Sequence, residues 1–294
     1  MHKINYLRDA EEATRFHGLV TLMRPKQWIK NGFVLAALVF SGKFLDMGAV
    51  GQSCLAALFF CIASSASYLV NDLHDIDFDR QHSKKAKTRP LAAGIVSTTM
   101  ALKLLAVLYV TMALGWLIMP NVVHVIAAYM VLNLAYTFVL KHRPVLDIFC
   151  IAIGFVLRVY AGAVALSVPL SGWMFITTLC LALYLTSVKR QQELRQNGTE
   201  GRLVLEKYTL PLVSRYAEMS ATGAIVFYSM FVISAKPQLV MTIPFVLFGL
   251  YRYGYIVEIL GGGQSPSDEL LIDPQLLLTV LLWVIACCWA LWPT

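Results

Sequence analysis

One acidic segment, Asn71–Arg80, holds the residues whose types and spacing are best suited to chemistry. If the segment is helical, Asn71, Asp75 and Asp79 lie four residues apart on one face. Asp72 falls at the edge of the same face. Carboxylate and amide oxygens grouped in this way suit Mg²⁺, which usually shares its coordination with the phosphates of a substrate. The segment therefore predicts a magnesium site.

The surroundings of this segment weigh against the simpler interpretation, which is a helix end that carries ordinary surface charge. An apolar run, 55–70, precedes it and is expected to lie in a membrane. Ionisable residues in or near a membrane are costly and usually functional. Asp77 and His74 point away from the proposed face, so neither is expected to bind the ion.

The composition is typical of an integral membrane protein. Of the 294 residues, 58% are hydrophobic and only 14% are charged, whereas about a quarter of the residues in a soluble domain are charged. We predict an all-α, polytopic transmembrane helical bundle around a central cavity, with about nine spans of bilayer-crossing length. The predicted spans are 28–45, 51–73, 97–118, 121–140, 145–167, 172–192, 211–234, 238–257 and 274–292. Residues 1–27 are predicted to form an N-terminal interfacial arm, and residues 28–294 the transmembrane catalytic domain.

Basic residues are concentrated in alternate loops of this predicted bundle. In the loops on the opposite side of the membrane, the only basic residues are Lys43 and Lys236. Because loops rich in Lys and Arg face the cytoplasm, we expect a cytoplasmic N-terminus, a cavity open to the cytoplasmic side and a location in the inner membrane. The same asymmetry accounts for the net charge of +7, so no nucleic-acid partner is expected. The basic residues of the cytoplasmic loops are Arg80, Lys84, Lys85, Lys87, Arg89, Lys141, Arg143, Arg195, Arg202 and Lys207.

A second basic stretch, Arg24–Asn31, precedes the first predicted span. Pro25 can start a helix. On an α-helix, Gln27, Lys30 and Asn31 would share one face. The stretch fits either a basic membrane anchor or the start of a phosphate-binding helix, and the residue pattern alone does not decide between them.

The fifth predicted span carries two charged residues, Asp147 and Arg158, eleven positions apart on nearly the same face. Gly154 lies on that face and leaves room. Arg158 is deep in the span, where a lipid-facing position would be expensive. Arg158 either pairs with another residue inside the bundle or binds a phosphate through its planar guanidinium. The second interpretation is favoured because buried charges usually mark substrate paths.

The end of the sixth span carries Lys189, Arg190 and Glu193. One interpretation is a membrane anchor with a salt bridge between Lys189 and Glu193, four residues apart. The other is a cationic wall that faces the acidic segment across a cavity, where it would stabilise a further phosphate.

Other polar residues are predicted on the same side of the membrane. Arg80 and Arg89 belong to a basic loop that could close over a phosphorylated ligand or contact anionic lipid. Tyr136 and Lys141 end the fourth span, where their simplest role is that of interface anchors.

Together, these motifs resemble the UbiA superfamily of intramembrane prenyltransferases and, more narrowly, its decaprenyl-phosphate phosphoribosyltransferase branch. The acidic motif, followed by a basic loop that ends in Arg89, Pro90, Leu91 and Ala92 before Gly94, is similar to the superfamily pattern. Ser83 departs from the branch pattern, which usually has a proline there. The segments similar to the branch are 24–31, 140–162, 189–194 and 261–274.

The resemblance implies that 5-phosphoribose is transferred from phosphoribosyl diphosphate to a polyprenyl phosphate, with Mg²⁺ as cofactor and diphosphate as the released product. It implies metal ligands at Asn71, Asp72, Asp75 and Asp79, of which the three aspartates would be catalytic. The implied substrate-binding residues are Lys26, Lys30, Asn31, Arg80, Arg89, Tyr136, Lys141, Asp147, Arg158, Lys189, Arg190 and Glu193.

Two other functions stay open. An aromatic-acceptor or other prenyltransferase of the superfamily would use a polyprenyl diphosphate, although such enzymes carry a second Asp-rich motif where this chain has Lys189, Arg190 and Glu193. A transporter or membrane scaffold could use the acidic segment as an ion site. The oligomeric state, monomer or homo-oligomer, is also left open.

Overall fold

A computed structural model describes residues 16–81, 85–198 and 203–292. All regular structure within these residues is helical. Ser83 and much of the predicted interfacial arm lie outside the described residues. The α-helices are α1 (16–23), α2 (Ala36–Phe40), α3 (Met47–His74), α4 (Ile76–Gln81), α5 (Lys85–Thr88), α6 (Thr98–Gly115), α7 (Pro120–Phe138), α8 (Leu146–Ala165), α9 (Gly172–Asn197), α10 (Leu210–Ala235), α11 (Ile243–Glu258), α12 (Pro266–Ile272) and α13 (Pro274–Ala290). The described residues also form 3₁₀ helices at Pro25–Leu35, Leu140–His142, Leu203–Lys207 and Pro237–Thr242.

The chain is a multi-pass membrane protein. Among the described residues, seven helices are long and apolar enough to cross a membrane, or eight if α12 and α13, which meet at 93°, form one bent span. The predicted count of nine is not confirmed, because the first predicted span holds most of the 3₁₀ helix Pro25–Leu35 and the five-residue α2. The seven are Met47–His74, Thr98–Gly115, Pro120–Phe138, Leu146–Ala165, Gly172–Gln196, Leu210–Ala235 and Pro237–Glu258. The central cavity and the orientation in the membrane stay predictions.

Side-chain caps explain where several long helices begin. Asp46 accepts a hydrogen bond from the backbone of Gly48 at the start of α3, and Thr209 caps α10 in the same manner. Asp273 caps α13, whose first residue is Pro274. A capping oxygen satisfies a backbone N–H that has no partner in the helix, and proline is preorganised for the first helical position. These local signals set the helix starts.

The 3₁₀ helix Pro25–Leu35 packs inside the bundle between α3 and α8. A Cβ atom on Gly162 would lie 1.9 Å from the carbonyl oxygen of Val34, so the close approach of the two backbones requires glycine. On the other side, the indole N–H of Trp28 donates to the hydroxyl of Ser65 at 3.0 Å. These contacts hold the segment within the protein.

The α-helical face predicted for Gln27, Lys30 and Asn31 is not formed, because the segment is a 3₁₀ helix. Residues three apart stack in a 3₁₀ helix, so Asn31 lies in a row with Val34 and both are buried. Lys30 belongs to the neighbouring row with Gln27 and is only partly buried. The two predicted substrate contacts, Lys30 and Asn31, therefore have different surroundings.

The acidic segment is nearly continuous with α3. That helix ends at His74, and Asp75 departs from helical geometry at ψ 9° before α4 begins. The i to i+4 hydrogen bonds continue across the break, from the Asp75 N–H to Asn71 and from the Asp79 N–H to Asp75. Asn71, Asp75 and Asp79 therefore keep the spacing that was predicted for them.

Candidate active site

Two buried carboxylates of the acidic segment share one cation. Nη1 of Arg89 lies 2.6 Å from Oδ1 of Asp72 and 2.5 Å from Oδ2 of Asp79. Asp72 Oδ1 also accepts a hydrogen bond from Nη2 of Arg24 at 2.5 Å, and Nζ of Lys85 lies 3.4 Å from Oδ1 of Asp79. The carboxylates of Asp72 and Asp79 thus converge on Arg89, whereas the sequence pattern grouped Asp79 with Asn71 and Asp75 and put Asp72 at the edge of that face. Arg24 was not predicted as a site residue.

The third carboxylate, Asp75, contacts the 3₁₀ helix Leu140–His142, which follows α7. Its Oδ1 lies 2.6 Å from Nζ of Lys141 and 2.8 Å from Nδ1 of His74, although His74 was predicted to point away. Burial raises the pKa of Asp75, but the hydrogen bonds and charges of Lys141 and His74 outweigh it, so that the pKa lies below its ordinary value. Nearby, the hydroxyl of Thr137 donates to the amide oxygen of Asn71 at 3.5 Å.

Two charged residues of the segment lie apart from this cluster. The side chain of Asp77 is 85% exposed and pairs with Arg80, whose Nη1 lies 3.3 Å from Asp77 Oδ1. Asp77 was predicted to point away from the site and does so. Arg80 was predicted to bind substrate, but the structure turns it toward Asp77 rather than toward the buried carboxylates.

The acidic segment offers only oxygen donors from Asn71, Asp72, Asp75 and Asp79, which are the ligands that Mg²⁺ prefers. Within the described part of the chain, no three acidic, histidine or cysteine side chains converge as a ready metal site. Side-chain cations contact these oxygens instead, and a nitrogen of Arg89 lies between two carboxylates. The donor chemistry therefore fits Mg²⁺, provided that the metal displaces the side-chain nitrogens that are now bonded to these oxygens.

The end of α9 forms a second charged cluster around Arg190, whose side chain is fully buried. Its Nε donates to Oδ2 of Asp147 at 2.7 Å, and its Nη1 donates to Oε2 of Glu193 at 2.7 Å. Its Nη2 lies 3.4 Å from the hydroxyl of Tyr136. The carboxylates of Asp147 and Glu193 thus partly neutralise the predicted cationic wall. Glu193 pairs with Arg190 in addition to any contact with Lys189.

A tyrosine that was not predicted completes this cluster. The hydroxyl of Tyr208 donates to Oδ1 of Asp147 at 2.6 Å and accepts from the backbone N–H of Val145 at 2.6 Å. Tyr208 follows the 3₁₀ helix Leu203–Lys207, in the connection between α9 and α10. Nothing in its local sequence marks it, because its partners lie on another helix.

The end of α7 joins the two charged clusters. Thr137 contacts the amide of Asn71, and Lys141 contacts the acidic segment a few residues later. Tyr136, next to Thr137, contacts Arg190 of the α9 cluster. The predicted residues Tyr136 and Lys141 are therefore more than membrane anchors, since they lie between the carboxylates and the α9 end.

Arg158 lies deeper in the bundle and is 4% exposed. Its three nitrogens donate to the amide oxygen of Asn31 at 2.8 Å, the carbonyl of Gly154 at 2.8 Å and the hydroxyl of Tyr129 at 3.0 Å. No carboxylate of the described residues pairs with it, and Asp147 on the same helix pairs with Arg190 instead. Aromatic faces help to stabilise the cation; they belong to Phe60, Tyr129 and Phe155, at 4.7–5.6 Å.

Lys30 is a partly buried cation of the 3₁₀ helix, and the charge of Arg158 acts on it. It makes no hydrogen bond or ion pair with the described residues, and its helix is not one of the seven spans. Burial and the positive charges of Arg158 and Arg24 lower the pKa of Lys30 to about 8, and the negative charge of Asp268 opposes them. A lysine close to two other cations is suited to an anionic ligand. Lys26 is exposed.

The sequence of the chain matches the UbiA prenyltransferase family over residues 32–263. The chain belongs to the UbiA prenyltransferase family. This membership confirms the resemblance noted in the acidic motif and its following basic loop, and it makes the chain a membrane transferase with an all-α fold.

Curated relatives of this UbiA family member are similar over nearly its whole length. The decaprenyl-phosphate phosphoribosyltransferase of Mycolicibacterium smegmatis is 36% identical over 290 residues, which cover 91% of this chain and 90% of the relative. The protein of the same name from Mycobacterium tuberculosis is 34% identical over 281 residues, which cover 91% of this chain and 92% of the relative.

Solved structures share the fold of this UbiA family member. A UbiA homolog from Archaeoglobus fulgidus, solved with GPP and Mg²⁺, has a TM-score of 0.71 at 18% sequence identity, covering 94% of this chain and 99% of that one. The same homolog bound to Cd²⁺ has a TM-score of 0.64 at 16% identity, covering 93% and 99% of the two chains. At this identity the likeness establishes the helical architecture.

Proposed function

We propose that the protein transfers 5-phosphoribose from phosphoribosyl diphosphate to a polyprenyl phosphate and releases diphosphate. The observation that carries the proposal is the similarity, over about nine tenths of the chain, to proteins named decaprenyl-phosphate phosphoribosyltransferase. The charges of the site support it, because carboxylates and cations lie side by side, as a metal-bound diphosphate and further phosphates would require.

Asn71, Asp72, Asp75 and Asp79 are the residues proposed to hold Mg²⁺. When bound, the ion supplies charge neutralisation for the departing diphosphate. The side-chain cations that now pair with the carboxylates would then be available to phosphate oxygens. Arg89 is the foremost of these, since its guanidinium contacts two of the carboxylates and can bind phosphate through two parallel hydrogen bonds.

The reaction breaks the bond between the sugar C1 and the diphosphate oxygen and forms a bond from C1 to an oxygen of the lipid phosphate. That nucleophile is already anionic, so no dedicated general base is required. Positive charge develops on the sugar ring as the diphosphate leaves. The task of the protein is therefore to align the two substrates and exclude water.

We assign the diphosphate to the acidic segment and the phosphorylated sugar to the α9 end, near Lys189. Arg190 and Arg158 contribute by holding other side chains, because their nitrogens already bond to protein groups. Lys30, which has no such bond, is suited to direct contact with phosphate. The basic loops and the positive-inside rule support a site that opens to the cytoplasm from the inner membrane.

The test uses purified protein in lipid nanodiscs with Mg²⁺, phosphoribosyl diphosphate and decaprenyl phosphate. We expect a phosphoribosylated lipid and one diphosphate released for each product molecule, detected by mass spectrometry and a coupled diphosphate assay. Parallel reactions contain geranyl diphosphate and an aromatic acceptor, and a chelator removes the metal. Consumption of geranyl diphosphate without any phosphoribosylated lipid would favour an aromatic prenyltransferase and refute the proposal.

A further inference from the structure

A buried cluster of charges lies at the start of α8, where two carboxylates share the guanidinium of Arg190. Asp147 and Arg190 are both fully buried. Arg190 is shared by two carboxylates, Asp147 and Glu193, so these three residues together carry a net negative charge. Buried charge is costly unless the remaining lone pairs are satisfied by hydrogen bonds.

The hydroxyl of Tyr208 satisfies part of this requirement. It donates to Oδ1 of Asp147 at 2.6 Å, while Arg190 bonds to Oδ2. Burial and this hydrogen bond raise the pKa of Tyr208, so the hydroxyl keeps its proton and remains a donor. Both oxygens of Asp147 are therefore held, one from each side.

The same hydroxyl holds a strained residue at the start of α8. Val145 has φ 69° and ψ −47°, a region that β-branched residues rarely adopt. Its backbone N–H donates to the oxygen of Tyr208 at 2.6 Å. Such strain persists only where the surrounding structure maintains it, and it is concentrated at functional sites. Tyr208 thus orients both the N-cap residue of α8, Val145, and the carboxylate of Asp147.

We propose that Tyr208 is a positioning residue for the sugar half of the donor, a role that rests on the function proposed above. Its hydroxyl holds Asp147, and Asp147 holds Arg190. Arg190 in turn bonds to Glu193, whose side chain is 15% exposed, and to the partly buried Tyr136. A carboxylate and a phenol at this position can hydrogen-bond the hydroxyls of a ribose, whereas Tyr208 itself makes no hydrogen bond to the acidic segment in the described chain.

The experiment compares phosphoribosyl diphosphate with inorganic diphosphate, each with Mg²⁺, by calorimetry on the full-length protein in nanodiscs. Both ligands present a diphosphate to the acidic segment, but only the first carries a phosphorylated sugar. Tyr208→Phe removes both hydrogen bonds of the hydroxyl. It should weaken binding of phosphoribosyl diphosphate about tenfold, because Asp147, and through it Arg190 and Glu193, are no longer held for the sugar. Binding of inorganic diphosphate should stay unchanged.

Tyr216→Phe is the matched control. Tyr216 packs against the same apolar cluster as Tyr208, and its hydroxyl makes no hydrogen bond within the described residues. Its replacement should leave the binding of both ligands unchanged. Thermal melting shows whether each variant is folded. If Tyr208→Phe is not, Asp147→Asn replaces it, because it keeps the side-chain shape but removes the charge that Tyr208 and Arg190 hold.

Four results are decisive. Selective weakening of phosphoribosyl diphosphate supports the positioning role. Equal weakening of both ligands by a folded variant, or no weakening of either, overturns it. If the wild-type protein binds inorganic diphosphate but not phosphoribosyl diphosphate, the proposed function fails, and the role of Tyr208 fails with it.

Discussion

Replacing Gly162 by alanine tests whether the 3₁₀ helix Pro25–Leu35 must lie against α8. A Cβ atom at this position would lie 1.9 Å from the carbonyl oxygen of Val34 and 3.4 Å from Cβ of Ala37. Because the oxygen belongs to the backbone, it cannot rotate away. The two segments must separate until the first distance reaches at least 3.4 Å, where ordinary contact begins.

The expected cost combines two opposing effects. Overpacking a tight interior costs about 1–3 kcal/mol, and the upper end applies because the clash involves backbone. Alanine is favoured over glycine inside a helix by about 1 kcal/mol. We therefore expect a net loss of about 2 kcal/mol, seen as a fall of several degrees in Tm. The displacement would also separate Asn31 from Arg158 and should raise KM for phosphoribosyl diphosphate.

Thermal melting in nanodiscs measures the stability, and the transfer assay measures KM. Gly51→Ala is the matched control, since Gly51 lies inside α3 and a Cβ atom there meets no other atom within 4 Å. This control should melt at or slightly above the temperature of the wild-type protein. If Gly162→Ala melts together with Gly51→Ala, the close approach is not required and the reasoning is wrong.

Three further predictions concern the charges of the site. Binding of phosphoribosyl diphosphate should weaken as the pH rises through about 8, because Lys30 has its pKa lowered to about 8 and its positive charge is present below that value and lost above it. In calorimetric titrations, Lys30→Arg should remove this step, and a step that persists would contradict the assignment. Arg89→Gln should destabilise the protein by about 3 kcal/mol, because two buried carboxylates lose a shared partner, whereas Arg80→Gln removes an exposed pair worth about 0.5 kcal/mol. Mg²⁺ should raise the Tm of Arg89→Gln more than that of the wild-type protein, and equal effects would argue against a cation site between those carboxylates. Replacing Asp75 and Asp79 together by asparagine should abolish Mg²⁺-dependent diphosphate binding in calorimetry, and full retention would favour a scaffold.

Most helices could be predicted because their signals are local. Seven of the nine predicted spans correspond to helices of membrane-crossing length, since an apolar stretch is recognisable without knowledge of its neighbours. The first predicted span was the clearest difference. Its 3₁₀ form depends on partners elsewhere in the chain, Gly162 on one side and Ser65 on the other, and no pattern within the segment reveals them.

The candidate site divides in the same way. The spacing of Asn71, Asp75 and Asp79 was visible in the sequence, because backbone hydrogen bonds between successive turns impose it. Arg89 and Lys141, which pair with Asp79 and Asp75, were assigned to the site, whereas Lys85 and His74, which also contact these carboxylates, were not. Lys141, for example, was interpreted as either an anchor or a phosphate contact, and the structure adds its ion pair with Asp75.

The sequence by itself determined the membrane class, the helical architecture, the acidic face and the resemblance to the UbiA superfamily. Tertiary structure alone decided which charges neutralise one another. Asp72 pairs with Arg24, 48 residues away, while Asp147 bonds to Arg190, 43 residues away, and to Tyr208, 61 residues away. The physical reason is that electrostatic attraction depends on distance and burial, and packing of helices far apart in the chain sets both.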